Sequence, residues 1–183
     1  MANTKISQLT TWTGDTTGFY LVVDNSGLTQ TYKTTKETLG VFAPEIIMKS
    51  KNSDQTVAVG DNVLFQVTDF NMNMTTADSS TVTLKAGGTY QLRGALRLSA
   101  GSSTGAEINY RWFNNSAAQS FTGITGGAIT TDANWSGTDI SEALAFVTVG
   151  SSQNISVLLR ITAVAGTAIV SSTQSRISIT RLG

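Results

Sequence analysis

Residues Val82–Phe113 read VTLKAGGTYQLRGALRLSAGSSTGAEINYRWF, and the alternation in this stretch decides the fold class. It divides into a strand, a Gly87-Gly88 turn, a second strand, a Gly/Ser loop and a third strand. In the second strand Tyr90, Leu92, Leu96 and Leu98 share one side with Gly94 among them. Gln91, Arg93, Ala95, Arg97 and Ser99 share the other. In the third, Ile108, Tyr110 and Trp112 alternate with Glu107, Asn109 and Arg111. Successive side chains of a strand point to opposite faces. A period of two held across two strands and broken by turn residues therefore predicts antiparallel sheets with one buried face.

Outward from this stretch the text stays strand and loop. Upstream, a first strand starts at Ile46–Met48, and Val63, Phe65 and Val67 alternate with Leu64, Gln66 and Thr68 before a polar connection, Asn71–Ser80. Downstream, Asn114–Ser141 reads as the longest irregular region. Leu144–Val149 is a strand, and Ile155, Val157, Leu159 and Ile161 fall on one face of a long apolar one. The segment RISITRL, Arg176–Leu182, closes the fold with Ile177 and Ile179 inward. Short strands with turn signals every roughly 8–12 residues, and no amphipathic helix, predict an all-β, antiparallel jelly-roll sandwich.

The single proline, Pro44, marks a boundary, because the residue before a proline is pushed to an extended conformation. Residues 1–43 then form an N-terminal arm and residues 44–183 the jelly-roll domain. In the arm, Phe19–Asp24 and Leu28–Thr35 flank an Asp-Asn-Ser-Gly turn and read as a small hairpin. Such a hairpin does not stabilise itself in water. Its apolar groups Ile6, Leu9, Trp12, Phe19, Leu21, Val23 and Tyr32 are candidates for docking on a partner, or for covering the base of their own jelly roll.

Composition narrows the function classes. Only 13% of the 183 residues are charged, about half the usual share of roughly 25%, and twelve basic residues balance twelve acidic ones. A neutral chain has no general attraction for nucleic acid or an anionic membrane, and it favours incorporation into an assembly. No apolar run approaches the roughly 20 residues that span a bilayer. The opening MANTKISQLTTWTG has no apolar core of a signal peptide, which implies synthesis in a cytoplasm. All six lysines precede residue 86 and all six arginines follow it, several of them (Arg93, Arg97, Arg111, Arg160) within predicted strands. Arginine suits partly buried, forked contacts with carboxylates. In an oligomer these would fit an interface, paired with Glu107, Asp139 or Glu142; a solvated polar face is the competing reading.

Chemistry is hard to assemble from this inventory. The chain has neither cysteine nor histidine, which excludes thiolate chemistry and removes the commonest general base and metal ligand. Asp132, Asp139 and Glu142 cluster around Trp135, a combination that could serve a glycan hydrolase, but spacing alone specifies no facing pair of carboxylates. Gly-Gly pairs at 87–88 and 126–127 lack the Gly-Lys-Ser/Thr of a phosphate cradle and read as turns. The expectation is a non-enzyme without cofactor or metal.

Two resemblances sharpen the reading. Through QTVAVGDNVLFQV, AGGTYQLRGALRL, SQNISVLLRITA and the closing RISITRLG, residues 45–183 resemble the globular jelly roll of complement-type heads and the tumour-necrosis-factor family. That resemblance implies a compact homotrimer, with Tyr90, Tyr110, Trp112, Val157 and Leu159 in the core or at the three-fold axis and Arg93 and Arg97 at the interface. Residues 3–40, KISQLTTWTG followed by FYLVVDNSGLTQTYKTTKETLG, are similar to the N-terminal attachment segment of tailed-phage fibre and decoration proteins. Together they imply a trimeric capsid decoration protein on the virion surface, bound to the major capsid protein or another virion protein by its arm. A short receptor-binding tail or neck fibre is the alternative, with the 114–141 loop, including Phe121 and Trp135, meeting a host surface glycan or protein.

Overall fold

The computed structural model describes residues 44–130 and 138–183, together with two strands further upstream. The chain divides into two compact units, Met1–Ala43 and Pro44–Gly183. In the first, β1 (Phe19–Leu21) pairs antiparallel with β2 (Tyr32–Thr34), Phe19 opposite Thr34. Ile6, Leu9, Trp12 and Val23 lie outside the described residues, as do the side chains of Phe19, Leu21 and Tyr32.

The second unit runs through β3 (Ile46–Ser50), β4 (Gln55–Thr56), β5 (Val67–Met72), β6 (Thr75–Thr76), β7 (Val82–Leu84), β8 (Thr89–Ala95) and β9 (Glu107–Asn114). It continues with β10 (Gln119–Ser120), β11 (Gly123–Ile124), β12 (Gly126–Thr130), β13 (Thr138–Ser141) and β14 (Ala143–Thr148). The long β15 (Ile155–Ala165), β16 (Ile169–Val170) and β17 (Arg176–Arg181) complete it. One sheet has the order β13-β12-β9-β15-β7-β6, with β10 added to β9. The other has the order β11-β14-β8-β17-β3-β5. Every strand pairing among the described residues is antiparallel, and neighbours are mostly far apart in sequence, as a sandwich with long crossovers requires.

The alternation in the sequence becomes the core. Leu92, Leu96, Leu98, Ile108, Tyr110, Trp112, Val157, Leu159, Ile177 and Ile179 all lie in one apolar cluster between the sheets. Three large aromatics in it carry polar tips, and each tip has a partner. Tyr110 Oη donates to the Ser141 carbonyl at 2.8 Å and accepts from the Leu96 amide at 3.0 Å. Trp112 Nε1 donates to the Ala143 carbonyl at 3.2 Å, and Tyr90 Oη donates to Glu45 Oε2 at 2.9 Å. Burial pushes the Tyr110 hydroxyl up to about 12, and it does the same for Tyr90 with the help of Glu45.

Three expectations are corrected. The stretch Asn114–Ser141 is not irregular throughout: β12 pairs β9 on one side and β13 on the other, and Gly126, Ala128 and Thr130 are buried along it. Gly126 is required here because a Cβ would collide with the Tyr110 ring. Phe121, expected on a ligand-binding loop, packs against the core, and its amide donates to the Trp112 carbonyl. Finally, strand β5 reaches to Met72 inside the supposed polar connection, and all six of its residues are exposed.

Strand β3 also carries a feature that alternation did not reveal. Its inward row is Ile47, Lys49 and then Lys51, and both lysines are buried. Lys51 Nζ donates to the Leu64 carbonyl at 2.9 Å and to Gln55 Oε1 at 3.1 Å, and Lys49 Nζ to the Asp78 carbonyl at 3.2 Å. Carbonyl oxygens satisfy the donors without cancelling the charge. Burial therefore lowers Lys51 from 10.5 to about 8, against a restoring pull from Asp54, and lowers Lys49 in the same sense.

Two predictions follow from these local features. Ala118, in the β9–β10 connection, has φ of 52°, a left-handed conformation that costs a side chain but not a glycine. Ala118→Gly should raise stability by about 0.5–1 kcal/mol in urea denaturation. For Lys51 the folded protein releases its proton before the unfolded chain does, so the penalty of the buried charge is relieved as pH rises through 8. Stability should increase between pH 8 and 10, by on the order of 2 kcal/mol. Above pH 10 Tyr90 and Tyr110 act the other way, because unfolded tyrosines ionise first. Lys51→Met should flatten the rise; an unchanged pH profile in that variant would show that Lys51 is not its source.

Candidate functional site

The outer side of the six-stranded sheet has an unusual pattern, which its register makes explicit. One row across the strands reads Phe146, Gln91, Thr180, Ile46, Met72. The next reads Ile124, Leu144, Arg93, Ser178, Met48, Phe70. Directly paired residues share a face. Both rows are thus apolar at each end and polar in the middle.

These ends are open to solvent in the single chain. Ile124 and Phe146 are each 59% exposed, Phe70 44%, Met48 41% and Met72 37%. They account for five of the eight large apolar side chains exposed among the described residues, the others being Val59, Val67 and Leu182. Scattered single apolar residues are normal on a surface, but a concentration on one sheet face marks an interaction site. Among the described residues β5 is an edge strand of this sheet, and it carries no proline, lysine or arginine to discourage pairing.

The middle of the face is a shallow hollow of about 330 Å³, lined among others by Met48, Arg93, Glu142 and Arg176. Arg93 donates from Nε at 3.0 Å and from one Nη at 2.5 Å to the same Glu142 oxygen. The pair is about half exposed on both sides, so in water it contributes little. Buried between subunits, it would fix the alignment of a contact more than its strength.

The residues singled out in the sequence divide between core and surface. Tyr90, Tyr110, Trp112, Val157 and Leu159 are each at most 2% exposed within one chain, so they build the protomer's own core and offer no surface to an axis. Arg93 stands on the outer face beside Glu142, whereas Arg97 is half-buried just beyond β8, with its backbone tied to Ser171 and Ser175. Of the cluster around Trp135, Glu142 is the Arg93 partner; Asp132, Trp135 and the Asp139 side chain lie outside the described residues. Among the described residues no three acidic side chains gather as a metal site would require. The apolar ends of the face were missed. Met48, Phe70 and Phe146 sit in the outward phase of their strands, a signal available once the register is known.

One buried charge organises the start of β3. Glu45, just before β3, is 3% exposed; its Oε1 accepts from Arg181 at 2.9 Å and Lys85 at 3.0 Å, and its Oε2 from Tyr90. Burial alone would raise this carboxyl, but the hydrogen bonds from Lys85, Tyr90 and Arg181 outweigh it and hold it below its ordinary value. The Asn73 side chain donates to the Pro44 carbonyl at 3.0 Å, so the start of the second unit is pinned to the β5–β6 turn as well.

No protein-family model and no curated protein matches the chain. Solved structures do. The tumour necrosis factor Eiger from S. frugiperda aligns with a TM-score of 0.54 at 13% identity, over 78% of this chain and 94% of that one. Murine APRIL, crystallised at pH 8.0, aligns with a TM-score of 0.50 at 11% identity, over 76% and 99%. At such identities the likeness is one of fold: Pro44–Gly183 is an antiparallel jelly roll of the tumour-necrosis-factor type.

Proposed function

We propose that this chain is a structural protein of a tailed-phage virion, a trimeric capsid decoration protein whose residues 1–43 fasten to the shell and whose jelly roll stands outside it. The observation that carries the assembly part is the outer face of the six-stranded sheet, apolar at both ends. The ends differ in strand and shape: Ile124 and Phe146 on one side, Met48, Phe70 and Met72 on the other. One end of a copy laid on the other end of the next gives a head-to-tail contact, which generates a closed ring when the rotation closes. The resemblance to the trimeric complement-type and tumour-necrosis-factor heads supports three as the number of copies.

The virion part is supported by the similarity of residues 3–40 to phage attachment segments, with Leu9, Trp12 and Leu21 as docking groups on the shell. Three arms on one trimer engage three shell sites at once, which strengthens attachment without any new contact. The role is mechanical, bridging neighbouring shell subunits.

Sedimentation, surface variants, truncation and virion stoichiometry test this reading. Sedimentation should give a mass near three times the 19.3 kDa of the chain, and Phe146→Glu or Phe70→Glu should leave a folded monomer, since either places a charge in a desolvated contact. A wild-type chain that sediments as a monomer at micromolar concentration would refute the ring. Residues 44–183 alone should still trimerise but no longer co-sediment with particles. On purified virions, quantitative mass spectrometry should find copies comparable in number with the major shell protein; a few trimers per particle would instead support the receptor-binding fibre.

A further inference from the structure

The outer side of the seven-stranded sheet carries a different feature, independent of the assembly face. The register sets Arg111 of β9 directly opposite Arg160 of β15. Opposed side chains have Cβ atoms about 4.5–5.5 Å apart, and like charges so placed repel. Among the described residues, no carboxylate comes within ion-pair distance of either guanidinium. Asp61, next to the segment that flanks Arg160, turns its carboxylate to the Ala58 amide at 2.8 Å, and Glu107 is met by Asn109 at 3.4 Å.

The two arginines are instead positioned by neutral groups. Arg111 Nε donates to Thr125 Oγ1 at 2.6 Å, and Arg160 Nε donates to Asn62 Oδ1 at 3.1 Å. The Arg160 guanidinium also sits over the Phe113 ring, 3.7 Å from its centroid. Such anchoring fixes each guanidinium through its Nε and leaves the Nη donors without a hydrogen-bond partner among the described residues. The neighbouring positions are small, Gly127 on one side of Asn109 and Ala163 on the other, so the sheet leaves room beside the pair. Planar guanidinium forks match the oxygens of an oxyanion, and a bound anion would remove the repulsion between them.

We propose that Arg111 and Arg160 form an oxyanion-binding site that takes a carboxylate, sulfate or phosphate group. The group can come from a free ion or from an acidic saccharide, and the two sources are separable. The full chain is heated by scanning calorimetry in sodium sulfate and in sodium chloride at matched ionic strength, and titrated calorimetrically with inorganic sulfate and with a sulfated disaccharide. Sulfate should raise the melting temperature saturably above the chloride value. Arg111→Gln should melt about 1–3 °C higher than the wild type in dilute chloride, because the repulsion is gone. The same variant should bind sulfate at least about tenfold more weakly, while Arg93→Gln, on the other sheet, should bind as the wild type does. Tighter binding of the disaccharide identifies a saccharide as the source, and tighter binding of inorganic sulfate a free ion. A sulfate response no greater than that of chloride, or one that persists in Arg111→Gln/Arg160→Gln, would overturn the site.

Discussion

Burying an aromatic hydroxyl or indole between two sheets is favourable only when its polar tip finds a partner, and this constraint arranges the jelly roll. Tyr110 and Trp112 leave the same strand, β9; Tyr110 donates to the carbonyl of Ser141, at the end of β13 in its own sheet, and Trp112 reaches across the sandwich to that of Ala143, at the start of β14. Tyr110 also receives the Leu96 amide from the end of β8. One strand of the seven-stranded sheet is thereby fixed against two strands of the other. The glycine at 126 is a consequence, since β12 can lie beside β9 only where no Cβ meets the Tyr110 ring. Tyr90 does the same at the opposite end through Glu45, whose remaining oxygen collects Lys85 and Arg181. Removing Glu45 would take from Lys85, Arg181 and Tyr90 the acceptor they share, so the cluster is costly to break although its net contribution to stability is small.

How much of this was legible follows from what alternation measures. The run Tyr90 to Leu98, the run Ile108 to Trp112 and the pair Ile177 and Ile179 are regular because one face is buried and the other is not, so both core and sandwich could be read from them. Alternation fails where the buried residue is small. Gly126, Ala128 and Thr130 form a buried face as real as that of β8, but glycine and alanine carry no hydrophobic signature, and the segment passed for a loop. It fails again on β3, where Ile46 and Ile47, Met48 and Lys49 make either phase plausible. Partners on β17 decide the phase, placing Met48 opposite Ser178 and Lys49 opposite Ile177. A lysine therefore points inward and a methionine outward, which no single-strand pattern predicts.

The inward lysines and the outward apolar residues are two aspects of that phase. Turned inward, Lys49 and Lys51 reach carbonyls at Asp78 and Leu64 that have left the regular ladders, so the cations close one end of the interior where the sheets no longer pair. The cost appears in the lowered proton affinity of Lys51. Turned outward, Met48 joins Phe70 on β5 and completes one apolar end of the outer face of the six-stranded sheet. Changing the phase of this one strand would bury Met48 and free the lysines, but it would also erase that end of the face. A locally costly interior is thus coupled to a surface suited to self-association, in keeping with the near-neutral charge that leaves little else to hold copies apart.

The outer faces of the two sheets accordingly differ in what they can bind. The six-stranded sheet neutralises its central arginine internally, with Glu142 as partner to Arg93, and leaves apolar ends. Such a face is fit to be dehydrated, because its charge is already matched when water is removed. The seven-stranded sheet does the reverse. Arg111 and Arg160 are held by a threonine and an asparagine, neutral groups that fix geometry without cancelling charge. Dehydrating that face against another protein surface would strand two cations, whereas leaving it in water keeps them solvated until an anion arrives. The same chemistry that suits the first face to a protein contact leaves the second better suited to water and to small anions than to a protein surface.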